Sequence, residues 1–108
     1  MSSIVAIIPF YNDFKALQCI LMHLSSIGIS SILCDGRFHN FQKIDESDFS
    51  TDGSRFLIHS FKDATLINCG PCYVDEKLNA LFHEAAKQGY THSILLGSDE
   101  GIEEISSY

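Results

Sequence analysis

The chain has 108 residues, 45% of them hydrophobic, and a formal net charge of −7. This length is typical of one small domain with its own core, and the acidic balance excludes the basic patch that nucleic-acid binding requires. No apolar run approaches the roughly 20 residues that cross a bilayer, and no basic segment precedes Ile4 to indicate a signal peptide. We therefore expect a cytoplasmic protein without a transmembrane segment.

The N-terminal third predicts a strand followed by an amphipathic helix. Residues 4–8 form an apolar, β-branched run typical of a buried strand, and Pro9 is expected to end it. Asn12 and Asp13 are favourable N-cap residues for the helix that follows. Its apolar side chains recur at helical spacing, and Gly28 is expected to close it.

The middle of the chain predicts two further strands around a long polar loop. Residues 29–34 are a strand candidate that ends at Asp35, so the first three elements make a βαβ unit. Residues 37–54 are polar and predict a surface loop of a length that is often functional. Residues 56–61 are a third strand candidate, and residues 64–68 are a short fourth element.

The C-terminal third predicts a helix, a strand and a tail. Residues 74–88 carry an apolar stripe at helical spacing, with acids in the first turn and Lys87 in the last, as the helix dipole favours. Residues 92–96 predict the last strand, and residues 101–108 a short tail that is expected to be helical. Alternating strands and helices predict an α/β fold, with a mainly parallel sheet flanked by helices.

Four charged residues are predicted to meet at one edge of that sheet. Asp13, Asp35 and Asp99 follow three predicted strands, and Lys77 lies at the start of the second long helix. The carboxyl ends of parallel strands lie on one edge, where ligands bind in open α/β folds. Carboxylates can hold a hard divalent cation or accept hydrogen bonds from a base or ribose, and lysine can meet a phosphate. The pattern predicts a metal-assisted site for a phosphate-bearing ligand.

Five motifs follow one another along the chain. They are Ile7-Ile8-Pro9-Phe10-Tyr11-Asn12-Asp13, Asp35-Gly36-Arg37-Phe38, Ser50-Thr51-Asp52-Gly53, Glu76-Lys77-Leu78-Asn79 and Gly97-Ser98-Asp99-Glu100. In this order and spacing they resemble the donor-site motifs of family 2 glycosyltransferases of the GT-A fold. The resemblance implies that residues 1–108 are a single GT-A-like, Rossmann-like domain, corresponding to the nucleotide-sugar-binding half of that fold.

The resemblance also implies roles for individual residues. Pro9 and Tyr11 would line the nucleotide pocket, and Asp13 would lie near the base or ribose. Asp35 would contact the base, with Lys77 close to it. The implied partner is a nucleotide-diphosphate sugar donor, and the acceptor, the donor's sugar and base, and the catalytic residues are left unassigned.

The implied cofactor is Mn²⁺ or Mg²⁺, held by Asp99 between the donor phosphates, where it would stabilise charge on the leaving nucleoside diphosphate. The chain departs from the family's metal motif, because Gly97 replaces the opening acid and removes one carboxylate. Family members also continue about as far again and supply the acceptor site and, in inverting enzymes, the catalytic base there. These departures predict a donor-binding domain that lacks full transferase activity by itself.

Two other classes of function stay open. Cys69-Gly70-Pro71-Cys72 has the tetrapeptide of thioredoxin active sites and precedes a predicted helix, whose N-terminus favours a thiolate. Against thiol–disulfide chemistry, 68 residues precede the motif, and the only prolines are Pro9 and Pro71, so none can supply the later cis-proline of that fold. The third class is a nucleotide-binding module without catalysis.

Overall fold

The computed structural model describes residues 4–36, 49–69, 74–97 and 101–107. The described chain runs through eight elements, which are β1 (Ile4–Phe10), α1 (Phe14–Ile27), β2 (Ser30–Asp35), α2 (Ser54–His59), β3 (Ala64–Asn68), α3 (Val74–Lys87), β4 (His92–Gly97) and β5 (Gly101–Ser107). No helix in these described ranges is long and apolar enough to cross a membrane.

One sheet of five strands organises the molecule, in the order β3-β2-β1-β4-β5. The first four strands pair in parallel, and β5 pairs antiparallel with β4. The strand order builds outward from β1 in both directions, so β1 marks the point where the order reverses. In open α/β sheets, ligands bind outside the carboxyl ends of the strands at such a reversal.

The helices cover both faces of this sheet. Alternate residues of β1 point to opposite faces, as a strand requires. Ala6, Ile8 and Phe10 pack in a core cluster with the buried residues of α1 and Ile58 of α2. The second cluster, on the other face, joins Val5, Ile7, Ile32 and Cys34 to Leu81 and Ala85 of α3. The predicted α/β fold with a mainly parallel, helix-flanked, Rossmann-like sheet is therefore confirmed.

The expectation that Pro9 ends the first strand is wrong, because β1 continues to Phe10. Pro9 pairs with Cys34 of β2 in the parallel register. On its other side β1 pairs with β4 only as far as Ile7. At Pro9 the strand therefore has one paired neighbour, and a residue without an N–H is tolerated where a strand is locally an edge.

The strand predicted over residues 56–61 is also wrong, because Ser54–His59 form helix α2. Ser54 and Ile58, four residues apart, are buried, whereas Phe56 is 83% exposed. This is helical spacing, in which one face of α2, the face that carries Ile58, packs on the core and the opposite face is exposed. A short apolar run does not by itself distinguish a strand from a helix segment.

The helical tail expected over residues 101–108 is a strand over Gly101–Ser107. Its register to β4 shifts between Leu95 and Leu96, where a β-bulge interrupts the ladder. A bulge inserts one residue into a strand, so the three-residue spacing of Ile102 and Ile105 is compatible with a strand as well as with a helix. The exposed edge of β4 offers backbone hydrogen-bonding groups to residues 101–107, so these residues gain more hydrogen bonds as a strand than as a single helical turn.

Candidate functional site

The carboxyl edge of β1 and β2 brings together three of the residues predicted for the site. Asp35 is the last residue of β2 and lies opposite Phe10 of β1. Asp13 is the N-cap residue of α1, directly after the β1 loop. Lys77, in the first half of α3, reaches the same edge, since its Nζ donates a hydrogen bond to the Phe10 carbonyl oxygen at 2.7 Å.

The two remaining residues of the predicted nucleotide pocket are largely enclosed. Pro9 is half-buried within β1, and Tyr11 is 9% exposed. Asp99, the predicted metal ligand, lies outside the described residues. The structure thus places Asp13, Asp35 and Lys77 around one edge of the sheet and leaves the position of Asp99 relative to them undescribed.

Asp35 carries the densest group of hydrogen bonds at this edge. Its carboxylate is fully buried. Ser50 donates its backbone N–H to both carboxylate oxygens, at 3.2 and 3.0 Å, and its hydroxyl to Oδ1 at 2.7 Å. Arg55 donates from Nη1 to Oδ2 at 2.9 Å. A buried carboxylate must be paired and hydrogen-bonded, and here a single short segment supplies every one of these donors.

That segment, residues 50–55, forms a strap across the β1 loop. The Asn12 N–H donates to the Ser50 hydroxyl at 2.9 Å, and the Thr51 N–H donates to Asn12 Oδ1 at 2.7 Å. Asn12 has a positive φ of 52°, a conformation that asparagine adopts more readily than most residues. The strap and the β1 loop therefore hold each other in place over the carboxyl ends of β1 and β2.

Asp52 joins the strap to the beginnings of two helices. Its Oδ2 accepts the N–H of Phe14 in α1 at 3.0 Å, and its Oδ1 accepts the N–H and hydroxyl of Ser54 in α2 at 3.0 and 2.5 Å. Asp13, predicted as the cap of α1, is the N-cap residue but makes no side-chain capping bond. The carboxylate that caps α1 therefore comes from a residue 38 positions away from Phe14.

The hydrogen bonds at Asp52 also set its acidity. Burial by itself would raise the pKa of this carboxyl group, but the hydrogen bonds from Ser54 and Phe14 favour the charged form more strongly and hold the pKa below its ordinary value. Two helix N-termini meet at this carboxylate, and a negative charge is favourable at both.

Arg55 links the strap to the carboxyl end of β3. Besides Asp35, its Nη1 donates to Asn68 Oδ1 at 2.6 Å, and its guanidinium carbon lies 5.1 Å from the centroid of the Phe49 ring. The Arg55 side chain is 33% exposed, in contrast to the fully buried Asp35. The pair thus has one end in the core and one end toward solvent.

Lys77 is fully buried beneath the same edge. It acts electrostatically on the neighbouring Cys34 thiol. Burial raises the pKa of Cys34 to about 12, and the positive charge of Lys77 opposes that rise. Cys34 therefore stays a protonated core thiol at neutral pH.

The described residues do not themselves provide a metal centre. Within them, no group of three His, Cys, Asp or Glu side chains lies close enough to hold an ion. The oxygens of Asp35 and Asp52 are occupied by N–H and O–H donors. The donor set seen here does not fit Mn²⁺ or Mg²⁺, so the predicted cation depends on Asp99.

The Cys69-Gly70-Pro71-Cys72 motif is described only at Cys69. This residue directly follows β3, is half-buried, and donates its N–H to the Asp35 carbonyl oxygen at 3.0 Å. Cys72 lies outside the described residues. The predicted context, a short strand before the motif and a helix after it, is present as β3 and α3.

Two of the cavities along α1 differ in character. An open polar cavity of about 380 Å³ is lined by residues 12–16 and Asp52, beside the N-terminus of the helix. An apolar cavity of about 270 Å³ lies between α1 and β4, with Ile20, Ile27, Ile94 and Leu96 among its lining residues. Of the two, only the polar cavity lies at the carboxyl edge that holds Asp13 and Asp35.

Ser50 and Arg55 were not among the residues predicted for the site. The motif Ser50-Thr51-Asp52-Gly53 marks the strap, but nothing in its spacing indicates that Ser50 meets Asp35 or that Asp52 caps α1. Arg55 lies two residues after that motif and directly before residues 56–61, the segment predicted as a strand. No protein-family model, curated protein or solved structure matches this chain.

The double cap predicts a pH-dependent contribution of Asp52 to stability. Replacing Asp52 with Ala removes a cap from two helices and should lower the free energy of unfolding by about 1–2 kcal/mol at neutral pH. Because the pKa of Asp52 is depressed in the folded state, this difference should be complete above the ordinary Asp range, about pH 4, and shrink as the pH falls further. Urea unfolding at several pH values measures it.

Asp52→Asn is the matched control for that experiment. Its amide oxygen can still accept one backbone N–H, so it should cost less than Asp52→Ala and show a weaker dependence on pH. A difference between wild type and Asp52→Ala that is unchanged down to about pH 2 would contradict the role of the charged carboxylate.

The Lys77 hydrogen bond predicts a second difference in stability. Lys77→Met preserves most of the side-chain length but leaves the buried Phe10 carbonyl oxygen without this donor, which should cost about 1–3 kcal/mol. Lys87→Met, in the exposed last turn of the same helix, should change stability by less than about 0.5 kcal/mol. Chemical denaturation of the two variants tests this, and equal stabilities would show that removal of the buried charge offsets the lost hydrogen bond.

Proposed function

We propose that this domain binds a nucleotide-diphosphate sugar donor at the carboxyl edge of β1 and β2, as the nucleotide-binding part of a glycosyltransferase. The observation that carries the proposal is the convergence of the β1 loop, the strap and Lys77 at the point where the strand order reverses. Three segments that resemble the donor-site motifs of family 2 glycosyltransferases contribute to this convergence. Their arrangement supports a shared ligand site rather than three unrelated loops.

The N-terminus of α1 supports a particular manner of phosphate binding. In many nucleotide-binding α/β folds the phosphates accept N–H groups from the first helix after β1. Here the Phe14 N–H is already bound by the Asp52 carboxylate. The proposed donor therefore needs positive charge from another source, and the proposal assigns this to Mn²⁺ or Mg²⁺ held by Asp99.

The residues of the chain would act by fixing this edge. Lys77 holds the end of β1 through the Phe10 carbonyl, and Asp35 holds the strap through Ser50 and Arg55. Asp13 borders the open polar cavity, and the proposal assigns it to a ribose or base. Binding and orientation are the functions that this arrangement supports, and the acceptor and the catalytic base are not assigned.

Calorimetry with UDP and GDP tests the proposal. Binding of one nucleotide is expected in the presence of Mn²⁺ and should weaken at least tenfold with a chelator or in Asp99→Ala, since one coordinating carboxylate is lost. Asp63→Ala is the matched control, because Asp63 lies in the exposed turn before β3, away from the carboxyl edge. Absence of nucleotide binding with and without metal would overturn the proposal.

Donor hydrolysis separates a transferase domain from a binding module. Incubation with the sugar form of the nucleotide that binds should release no free sugar if the chain only binds its donor. Measurable release that Asp99→Ala abolishes would assign chemistry to these residues as well.

The thiol–disulfide alternative makes an opposite prediction. A redox site would need a low-pKa thiol at Cys69 or Cys72 and would catalyse insulin reduction. We expect instead that the thiols react with maleimide no faster at neutral pH than a free cysteine, and that the double variant Cys69→Ser, Cys72→Ser binds nucleotide as the wild type does. Insulin reductase activity that this double variant loses would favour the redox function.

A further inference from the structure

Arg55 is the cationic side chain that faces solvent above the ends of β2 and β3. Both of its hydrogen bonds to described residues use Nη1, one to Asp35 and one to Asn68. A guanidinium carries five N–H donors in a rigid planar fork, so Nε and Nη2 keep donors for a further acceptor. The side chain is one-third exposed to solvent.

The surroundings of Arg55 hold this fork in one orientation. Asp35 and Asn68 fix one nitrogen from the ends of two neighbouring strands, and the Phe49 ring lies beside the guanidinium at 5.1 Å from its centroid. A guanidinium that is already positioned loses less side-chain entropy when it binds a ligand. A ligand that bound Arg55 would therefore meet a guanidinium that these contacts already orient.

Of the Arg55–Asp35 pair, the partly exposed member is the hydrogen-bond donor Arg55, because the acceptor, the Asp35 carboxylate, is buried. Asp35 is fully buried and its oxygens are taken by Ser50 and Arg55, so it offers nothing to a ligand while the strap is in place. Lys77 adds a second cation, which is fully buried beneath the same edge. Among the described residues, Asp35 is the buried carboxylate that faces these two cations, while Asp52 in the strap is bound to the helix N-termini.

We infer that Arg55 is a phosphate-contacting residue of this edge, where its Nε and Nη2 receive the oxygens of a diphosphate. The inference rests on the proposed function, since the diphosphate is that of the nucleotide donor. It changes the assignment of Asp35, which acts as a positioning residue that holds Arg55. Arginine is suited to this because its fork binds two phosphate oxygens at once.

Inorganic pyrophosphate is the direct probe, because it carries the phosphates without a base. Calorimetry of the wild type should detect binding that weakens with added salt, as expected for an exposed charge. Arg55→Met should lose at least about tenfold in affinity, the effect of removing a charged hydrogen-bond donor. Lys62→Met, an exposed cation near the opposite edge of the sheet, should stay within about twofold of the wild type.

Two more variants separate ligand contact from structural support. Asp35→Asn keeps an amide oxygen that can accept the Arg55 hydrogen bond but removes the charge that neutralises Arg55, so pyrophosphate should bind about threefold more tightly. The double variant Asp35→Asn, Arg55→Met has no unpaired buried charge, so it guards against a simple folding defect in Arg55→Met, and it should lose binding. Circular dichroism and urea unfolding check the fold of each variant.

Several results would overturn the inference. These are the absence of pyrophosphate binding to the wild type, binding to the folded double variant at wild-type affinity, or a loss in Asp35→Asn as large as that in Arg55→Met. The last result would mean that the pair only supports the strap.

Uridine and UDP, or guanosine and GDP, distinguish this inference from the proposed function. If Arg55 contacts phosphate, Arg55→Met should weaken the nucleotide at least tenfold more than the nucleoside. An unchanged ratio would remove the role of Arg55 and leave nucleotide binding intact. If pyrophosphate binds but neither UDP nor GDP does, the Arg55 site stands and the proposed nucleotide-binding function is overturned.

Discussion

The buried Asp35 carboxylate is the constraint around which the carboxyl edge is organised. A charge with no exposure to water must be matched by donors, and the donors it finds are those of Ser50 and Arg55. Satisfying Asp35 therefore fixes where the strap lies. Once the strap is fixed, Asp52 is placed at the N-termini of α1 and α2, and the two helices become linked to β2 through side chains.

The sheet explains why these contacts concentrate at one edge. Four parallel strands place the loops that follow β1, β2 and β3 on the same side, and the reversal of strand order leaves a crevice beside β1. Lys77 crosses to this edge from the opposite face, since α3 packs on the second core cluster while its lysine bonds to Phe10. Both helical layers thus contribute to one region, which neither layer could form alone.

The sequence permitted the long elements to be predicted, because each carries many apolar residues at one period. It also placed Asp13, Asp35 and Lys77 at one edge, since a parallel sheet leaves little freedom in where its loops go. The short segments failed for a physical reason. The apolar run at Phe56 is too short to distinguish the helical repeat of apolar residues from that of a strand. The tail forms a strand because it pairs with β4, and the tail's own sequence does not reveal that partner. Ser50 and Arg55 could not be predicted because the position of their loop depends on the need of the buried Asp35 carboxylate for hydrogen-bond donors, which appears only in the folded structure.

The distribution of charge gives the site its character. In a chain of net charge −7, the edge proposed to receive a diphosphate has Lys77 committed to a backbone carbonyl and Arg55 partly committed to Asp35. The helix N-terminus that could have bound phosphate is neutralised by Asp52. Both cations therefore serve the fold before they serve a ligand, and the part of the Arg55 guanidinium that does not bond to Asp35 or Asn68 is the part proposed to meet phosphate. A polyanion bound here would need added positive charge, so the proposed divalent cation and the proposed contact from Arg55 would complement each other and are not competing explanations.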